Sequence, residues 1–140
     1  MIDVKGIQDY LDTLFPGVLG MTLEEVTLDR VVASLIVKPN LCTGGEVMHG
    51  GAYMAFADTL GAVATVVNMP HGSRTVTIES KTNFLNGATV GTRIIAETTP
   101  FHRGRNTQVW QTQIRREDGK LCAVVTQTQM VMPPTRPARG

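Results

Sequence analysis

Cysteine is nearly missing from this chain, and the two that occur, Cys42 and Cys122, stand far apart. So sparse a set excludes a disulfide-stapled scaffold, and the expectation is two free thiols in a reducing cytoplasm. No cysteines and histidines fall at zinc-binding spacing, so no metal is expected. There is no Gly-x-Ser-x-Gly, which removes the serine-nucleophile elbow from consideration. Neither sign of charge dominates: 13 Lys and Arg against 12 Asp and Glu leave a net charge of +1. That balance gives no reason to expect nucleic acid or an anionic membrane as a partner. The opening residues, Met1-Ile2-Asp3-Val4-Lys5, have no basic stretch leading into an apolar run. No signal peptide is expected, and the protein is expected to be cytoplasmic.

Charge is scarcest between Gly50 and Pro70, where Asp58 is the single charged side chain. This run is nearly long enough to span a bilayer. An Asp near its centre would cost about 2.5–3.5 kcal/mol on insertion, and no Lys or Arg flanks it closely. A helix of a water-soluble core, buried all round, is the better expectation. A lone carboxylate inside such a helix is costly unless it is paired or used.

The rest of the chain supplies the cover for that helix. Its 140 residues suit one domain over 1–140, with an N-terminal helix and lead-in over 1–20 and a loose tail over 133–140. Ile7, Tyr10, Leu11 and Leu14 recur at helical spacing, and Pro16-Gly17 is expected to end that helix. Leu23–Leu28 and Val31–Val37 are β-rich runs around Asp29-Arg30, a hairpin or bent strand pair. A loop from Pro39 to Met48 leads to the long helix. Four further β runs follow, over Thr75–Leu85, Thr92–Phe101, Arg105–Arg116 and Leu121–Met132. Gly104 and Asp118-Gly119 mark tight turns between the last three, an antiparallel meander. In the first of the four, Val76, Ile78 and Phe84 are expected on one face, with Thr77, Glu79, Lys81 and Asn83 on the other. The fold class is α+β: one long helix wrapped by a curved antiparallel sheet of about six strands.

Two features of the helix carry chemistry. Tyr53, Phe56, Leu60, Val63 and Val67 form one bulky stripe suited to pressing on the sheet, and Asp58 lies roughly opposite. Around Asp58 sit Met54, Ala55, Gly61 and Ala62, which leave room for a ligand or for a second chain. At the start of the helix stands His49-Gly50-Gly51. The first N–H groups of a helix lack internal partners and stabilise negative charge. Glycine leaves them open to a substrate, so this is either an oxyanion hole for acyl transfer or a simple capping loop. Gly50 and Asp58 are separated by ~12 Å along the axis at the helical rise, too far for one small carbonyl to touch both. If both serve one reaction they come from different subunits, which predicts a homodimer with shared sites, able to assemble further into a homotetramer.

His49-Gly50-Gly51-Ala52-Tyr53 followed by Ala57-Asp58 resembles the active-site helix of hotdog-fold acyl-CoA thioesterases. The similarity is to the 4-hydroxybenzoyl-CoA and phenylacetic acid degradation types. It extends to Thr82-Asn83-Phe84-Leu85, to His102-Arg103-Gly104-Arg105-Asn106-Thr107 and to Asp118-Gly119-Lys120-Leu121-Cys122-Ala123-Val124. The resemblance implies a hotdog fold and hydrolysis of an aryl- or medium-chain acyl-CoA to free acid and CoA, with coenzyme A as part of the substrate and no separate cofactor. It implies Asp58 as nucleophile or general base, the Gly50 N–H as oxyanion donor, and His49 as an orienting group. Thr43 stands where relatives often carry Asn, and Thr77 where they carry Ser or Thr near the attacking water. Asn86 replaces an arginine common after the Asn-Phe-Leu run. Asn83, Arg103, Gly104 and Arg105 form the expected coenzyme-binding set, with Arg136 and Arg139 as further cations for its phosphates, each arginine being either a phosphate ligand or part of a solvated turn. Tyr53, Phe56, Trp110, Met48 and Met54 either line an acyl pocket or are plain core. A hotdog-fold hydratase or dehydratase and a non-catalytic acyl-CoA-binding protein are the alternatives.

Overall fold

The structure is a computed structural model in which residues 1–135 are described. Arg136 and Arg139 lie outside the described residues, as does most of the expected tail. Among the described residues six strands form one antiparallel sheet around the helix α3 (Gly50–Asn68), so the α+β expectation holds. The strands are β1 (Thr22–Val26), β2 (Val31–Ile36), β3 (Arg74–Phe84), β4 (Arg93–Arg103), β5 (Thr107–Arg116) and β6 (Leu121–Met132), and they lie in the order β1-β2-β4-β5-β6-β3. β1 and β2 form the expected hairpin, and β4, β5 and β6 the expected meander. β3 crosses over to pair with β6 and ends the sheet at one edge.

The N-terminal region departs from expectation at Pro16. Helix α1 (Val4–Asp12) is capped by Asp3, whose carboxylate accepts the Gly6 N–H at 2.9 Å. A second short helix, α2 (Phe15–Leu19), then begins where a stop was expected. Proline in a first turn gives up an N–H that would have had no acceptor anyway, so there it starts a helix instead of ending one.

The bulky stripe of α3 presses on the sheet as far as Val63: Tyr53, Phe56, Leu60 and Val63 are buried together with Trp110, Ile114 and Val125, whereas Val67 is only half-buried. Below them Trp110 Nε1 donates to Thr65 Oγ1 at 2.9 Å, which satisfies the one indole of the chain inside the core. The expectation that α3 is buried all round is not met. Met54 and Val66 are exposed and Asp58 and Ala62 only half-buried, because an open sheet covers a helix from one side.

The face assignment along β3 also needs correction. A β-bulge falls between Thr77 and Glu79, so Ile78 has no paired opposite. One extra residue shifts the alternation by a step. Thr77 and Phe84, expected on opposite faces, consequently both turn to α3: Thr77 bonds Asp58, and Phe84 packs edge-on to Tyr53 with ring centroids 6.3 Å apart. Val76 and Ile78 are left exposed on the outer side.

Candidate active site

His49 caps α3 with its side chain, Nδ1 accepting the Gly51 N–H at 2.8 Å. The carbonyl of His49 takes the N–H groups of Ala52 at 2.9 Å and Tyr53 at 3.3 Å. Of the first four N–H groups of the helix this leaves that of Gly50, which has no acceptor among the described residues. It borders a cleft of about 330 Å³ lined by Met48, Tyr53, Phe84, Leu85, Asn86 and Gly87. A Cβ at Gly50 would come within 3.1 Å of the Phe84 ring, so any side chain here would need the ring to give by a few tenths of an ångström. Because Nδ1 is the acceptor, the proton of neutral His49 sits on Nε2.

Asp58 opens elsewhere. It borders a largely apolar groove of about 760 Å³ between α1, the start of α2 and the outward face of α3, with Ile7, Tyr10, Phe15, Ala62 and Val66 among its walls. One oxygen of the carboxylate is held: Thr77 Oγ1 donates to Asp58 Oδ1 at 2.7 Å, and Gln127 Nε2 lies 3.4 Å from the same oxygen. Gln127 also donates to the main-chain carbonyl of Asp58 at 3.3 Å. It can do so because residue 61 is glycine, where a Cβ would come within 2.3 Å of the Gln127 amide. The room expected at Gly61 for a ligand or a second chain is thus filled from within by β6. Ala62, by contrast, does line the groove.

The structure brings Asp58 and Thr77 together and leaves Gly50 and His49 two turns away, Gly50 on the cleft with Phe84 and His49 on a separate one with Phe15, Leu41 and Gly51. Thr43 lies exposed in the loop before α3, its main-chain N–H donating to Val47 O at 2.9 Å. Asn83 is exposed on the outer side of β3 and accepts from Lys81 at 3.0 Å. Arg103 is engaged at the opposite end of α3, paired with Asp29 at 2.7 Å and donating to Leu28 O at 2.9 Å. Gly104 shapes the β4–β5 turn, where a Cβ would come within 2.6 Å of His102 Nε2 and 3.0 Å of Thr107 O. Arg105 is exposed in the same turn. Phe56 and Trp110 are core residues with no exposure, whereas Met48 and Tyr53 border the Gly50 cleft. Asn86 donates to Leu121 O at 2.8 Å and fixes the end of β3 against β6.

Several titrating groups lie near these features. Burial pushes the Tyr53 phenol far above its ordinary range, and its oxygen has no hydrogen-bond partner among the described residues. Burial likewise raises the Cys122 thiol, which keeps it protonated and unreactive at neutral pH. Both cysteines are free, as expected.

Sequence reasoning missed Gln127 and Gln129. They alternate with Val125 and Val131 on the inward face of β6, and both are 1% exposed. Two amides in phase with buried valines were the available signal, since a buried amide has to be hydrogen-bonded to something.

The thioesterase superfamily model matches residues 45–123, from the loop before α3 into β6. The chain belongs to this superfamily. It is 30% identical over 106 residues to the 1,4-dihydroxy-2-naphthoyl-CoA hydrolase of Escherichia coli, covering 76% of this chain and 77% of that one. A thioesterase crystal structure from Haemophilus influenzae superposes with a TM-score of 0.91 at 27% identity, covering 99% of this chain and 96% of the other. The PaaI protein of the E. coli phenylacetic acid degradation operon superposes with a TM-score of 0.83 at 21% identity, over 94% of this chain and 93% of its own, a likeness of fold. The fold is the hotdog fold, and the protein is a thioester hydrolase.

Proposed function

We propose that this enzyme hydrolyses an acyl-CoA thioester to the free acid and coenzyme A, with Asp58 as the catalytic carboxylate and the Gly50 N–H as oxyanion donor. The observation that carries this reading is the contrast between two unused groups on one helix: an N–H without acceptor at Gly50 and a carboxylate with one oxygen uncommitted at Asp58. A thioester needs little more. Thiolate departs readily, so the barrier lies in attack on the carbonyl and in charge on its oxygen. Asp58 takes the proton of an attacking water, or attacks the carbonyl itself and is then freed by water. Either route draws on the oxygen that Thr77 leaves untied. The kinship with a naphthoyl-CoA hydrolase supports coenzyme A as the leaving thiol.

Gly50 and Asp58 border different cavities of one protomer, which supports a homodimer in which each site takes Asp58 from one chain and Gly50 from the other. The long edge strand β3, with Val76 and Ile78 exposed, offers a second copy both backbone hydrogen bonds and apolar surface. The groove beside Asp58 is the natural seat of the acyl group. Its apolar walls and a volume of about 760 Å³ admit an aryl or medium-chain acyl. Arg105 and Asn83 are the candidates for coenzyme contacts that remain at the surface, whereas Arg103 is shared with Asp29. The free thiols of Cys42 and Cys122 support a cytoplasmic setting.

Thiol release measured across aryl-, medium-chain and short-chain acyl-CoAs tests the proposal. Asp58→Asn is expected to lower kcat about 10²–10⁴-fold on every substrate the native enzyme accepts. Equal rates for the two proteins would remove Asp58 from the reaction.

A further inference from the structure

The Asp58 carboxylate is the outer end of a chain of hydrogen bonds that runs back into the sheet. Thr77 Oγ1 donates to Asp58 Oδ1 at 2.7 Å, Gln129 Nε2 donates to Thr77 Oγ1 at 2.6 Å, and Thr75 Oγ1 lies 3.0 Å from Gln129 Oε1. Gln129 is 1% exposed, so the inner end of this chain is shielded from water, while its outer end at Thr77 and Asp58 meets solvent. All the hydrogen bonds to the side-chain carboxylate among the described residues go to Oδ1.

The order of donors and acceptors along this chain is forced. An ionised carboxylate only accepts, and a threonine hydroxyl has one proton. Thr77 serves Asp58 only when that proton points at Oδ1, and anything else touching Thr77 Oγ1 must then donate. Gln129 does so when its amide presents nitrogen to Thr77 and oxygen to Thr75. With the amide reversed, its oxygen would draw the Thr77 proton away, and Asp58 Oδ1 would face a lone pair. Thr75 has one proton and two acceptors in reach, Gln129 Oε1 at 3.0 Å and Met130 O at 2.9 Å, and it favours the productive orientation when it donates to Gln129.

We propose that Gln129 is a positioning residue for catalysis: acting through Thr77, it fixes the hydroxyl proton on Asp58 Oδ1 and thereby leaves Oδ2 as the reacting oxygen. The inference rests on the reading of Asp58 as the catalytic carboxylate. Gln129 touches neither substrate nor Asp58, and its effect passes entirely through Thr77.

A double-mutant cycle tests this, with kcat and KM measured on the best acyl-CoA of the substrate panel. Gln129→Met is expected to lower kcat about tenfold in the native background, with KM little changed. In the Thr77→Ala background the same change is expected to lower kcat no further. Thr75→Val, at a half-buried position on the edge strand, is expected to cost roughly two- to threefold in kcat, again only while Thr77 is present. It decides the matter if Gln129→Met does not fold. Losses of equal size in both backgrounds would overturn the proposal, since they would mean a general packing role. So would native kcat in both Gln129→Met and Thr75→Val beside an inactive Asp58→Asn. Full activity in Asp58→Asn would bring down the reading of the site itself, and with it the role of Gln129.

Discussion

The N-terminus of α3 and the Asp58 face about two turns along are both polar openings in an apolar helix, but they are built by different means. At Gly50 the functional group is main chain. Its direction follows from helix geometry, His49 occupies the neighbouring N–H, and the only demand on the side chain is that there be none. At Asp58 the functional group is a side chain, and its direction depends on Thr77, Gln127 and Gln129 from two strands distant in sequence. The first opening should therefore respond to changes in space and the second to changes in hydrogen bonding.

The comparison breaks most visibly if the two openings belong to one chain. Gly50→Val blocks one and Asp58→Asn disables the other, so each homodimer alone is expected to be nearly inactive. When the two are unfolded together and refolded as an equal mixture, half of the dimers should be mixed. In a shared-site arrangement each mixed dimer has one site carrying both changes and one site carrying neither. Activity should then rise to about a quarter of the native level, as the two-fold pairing of chains requires. A mixture as inactive as its parents would place both groups in the same chain's site.

A change of space at the first opening is sharper still. Gly50→Ala keeps the N–H but sets a methyl 3.1 Å from the Phe84 ring. It is expected to lower kcat about tenfold, the equivalent of roughly 1.4 kcal/mol in the transition state. Phe84→Leu, a smaller side chain on the same face of β3, should recover much of that loss in the double variant. Steady-state kinetics on one acyl-CoA suffices, and a loss untouched by Phe84→Leu would show that Gly50 matters for something other than room.

The same division governs what could be read from the sequence. The His49 opening was legible because a helix start is local: an apolar run, two glycines and a histidine at the cap are contiguous. Asp58 was conspicuous as the one charge in that run, and the meander from β4 to β6 followed from Gly104 and Asp118-Gly119. The partners of Asp58 were less legible. Thr77 was assigned to the face opposite Phe84 because a bulge at Ile78 leaves no mark in a period-two pattern. Gln127 and Gln129 were passed over because polar residues at inward positions gain meaning only once the neighbouring strand and helix are known. The extent of burial of α3 was overestimated because hydropathy alone does not say how many sides a sheet can cover.

The smallest expected effect tests the second opening from behind. Gly61 faces the sheet, not the groove, and its lack of a side chain is what lets Gln127 lie against α3. In the Gly61→Ala variant the helix itself gains propensity worth roughly 0.5–1 kcal/mol. The added methyl meets the Gln127 amide at 2.3 Å, and overpacking of that kind typically costs about 1–3 kcal/mol. The two terms oppose each other, so a net loss of roughly 1–2 kcal/mol is expected, read from urea denaturation. Pairing it with Gln127→Ala, which clears the space, should turn the Gly61→Ala change from a loss into a gain. Because Gln127 also leans on Asp58 Oδ1, kcat of the Gly61→Ala single variant should fall only a few-fold, less than for Gln129→Met. A Gly61→Ala protein as stable as the native one would mean that Gln127 moves aside freely. Asp58 would then be held by the Thr77 and Gln129 branch alone.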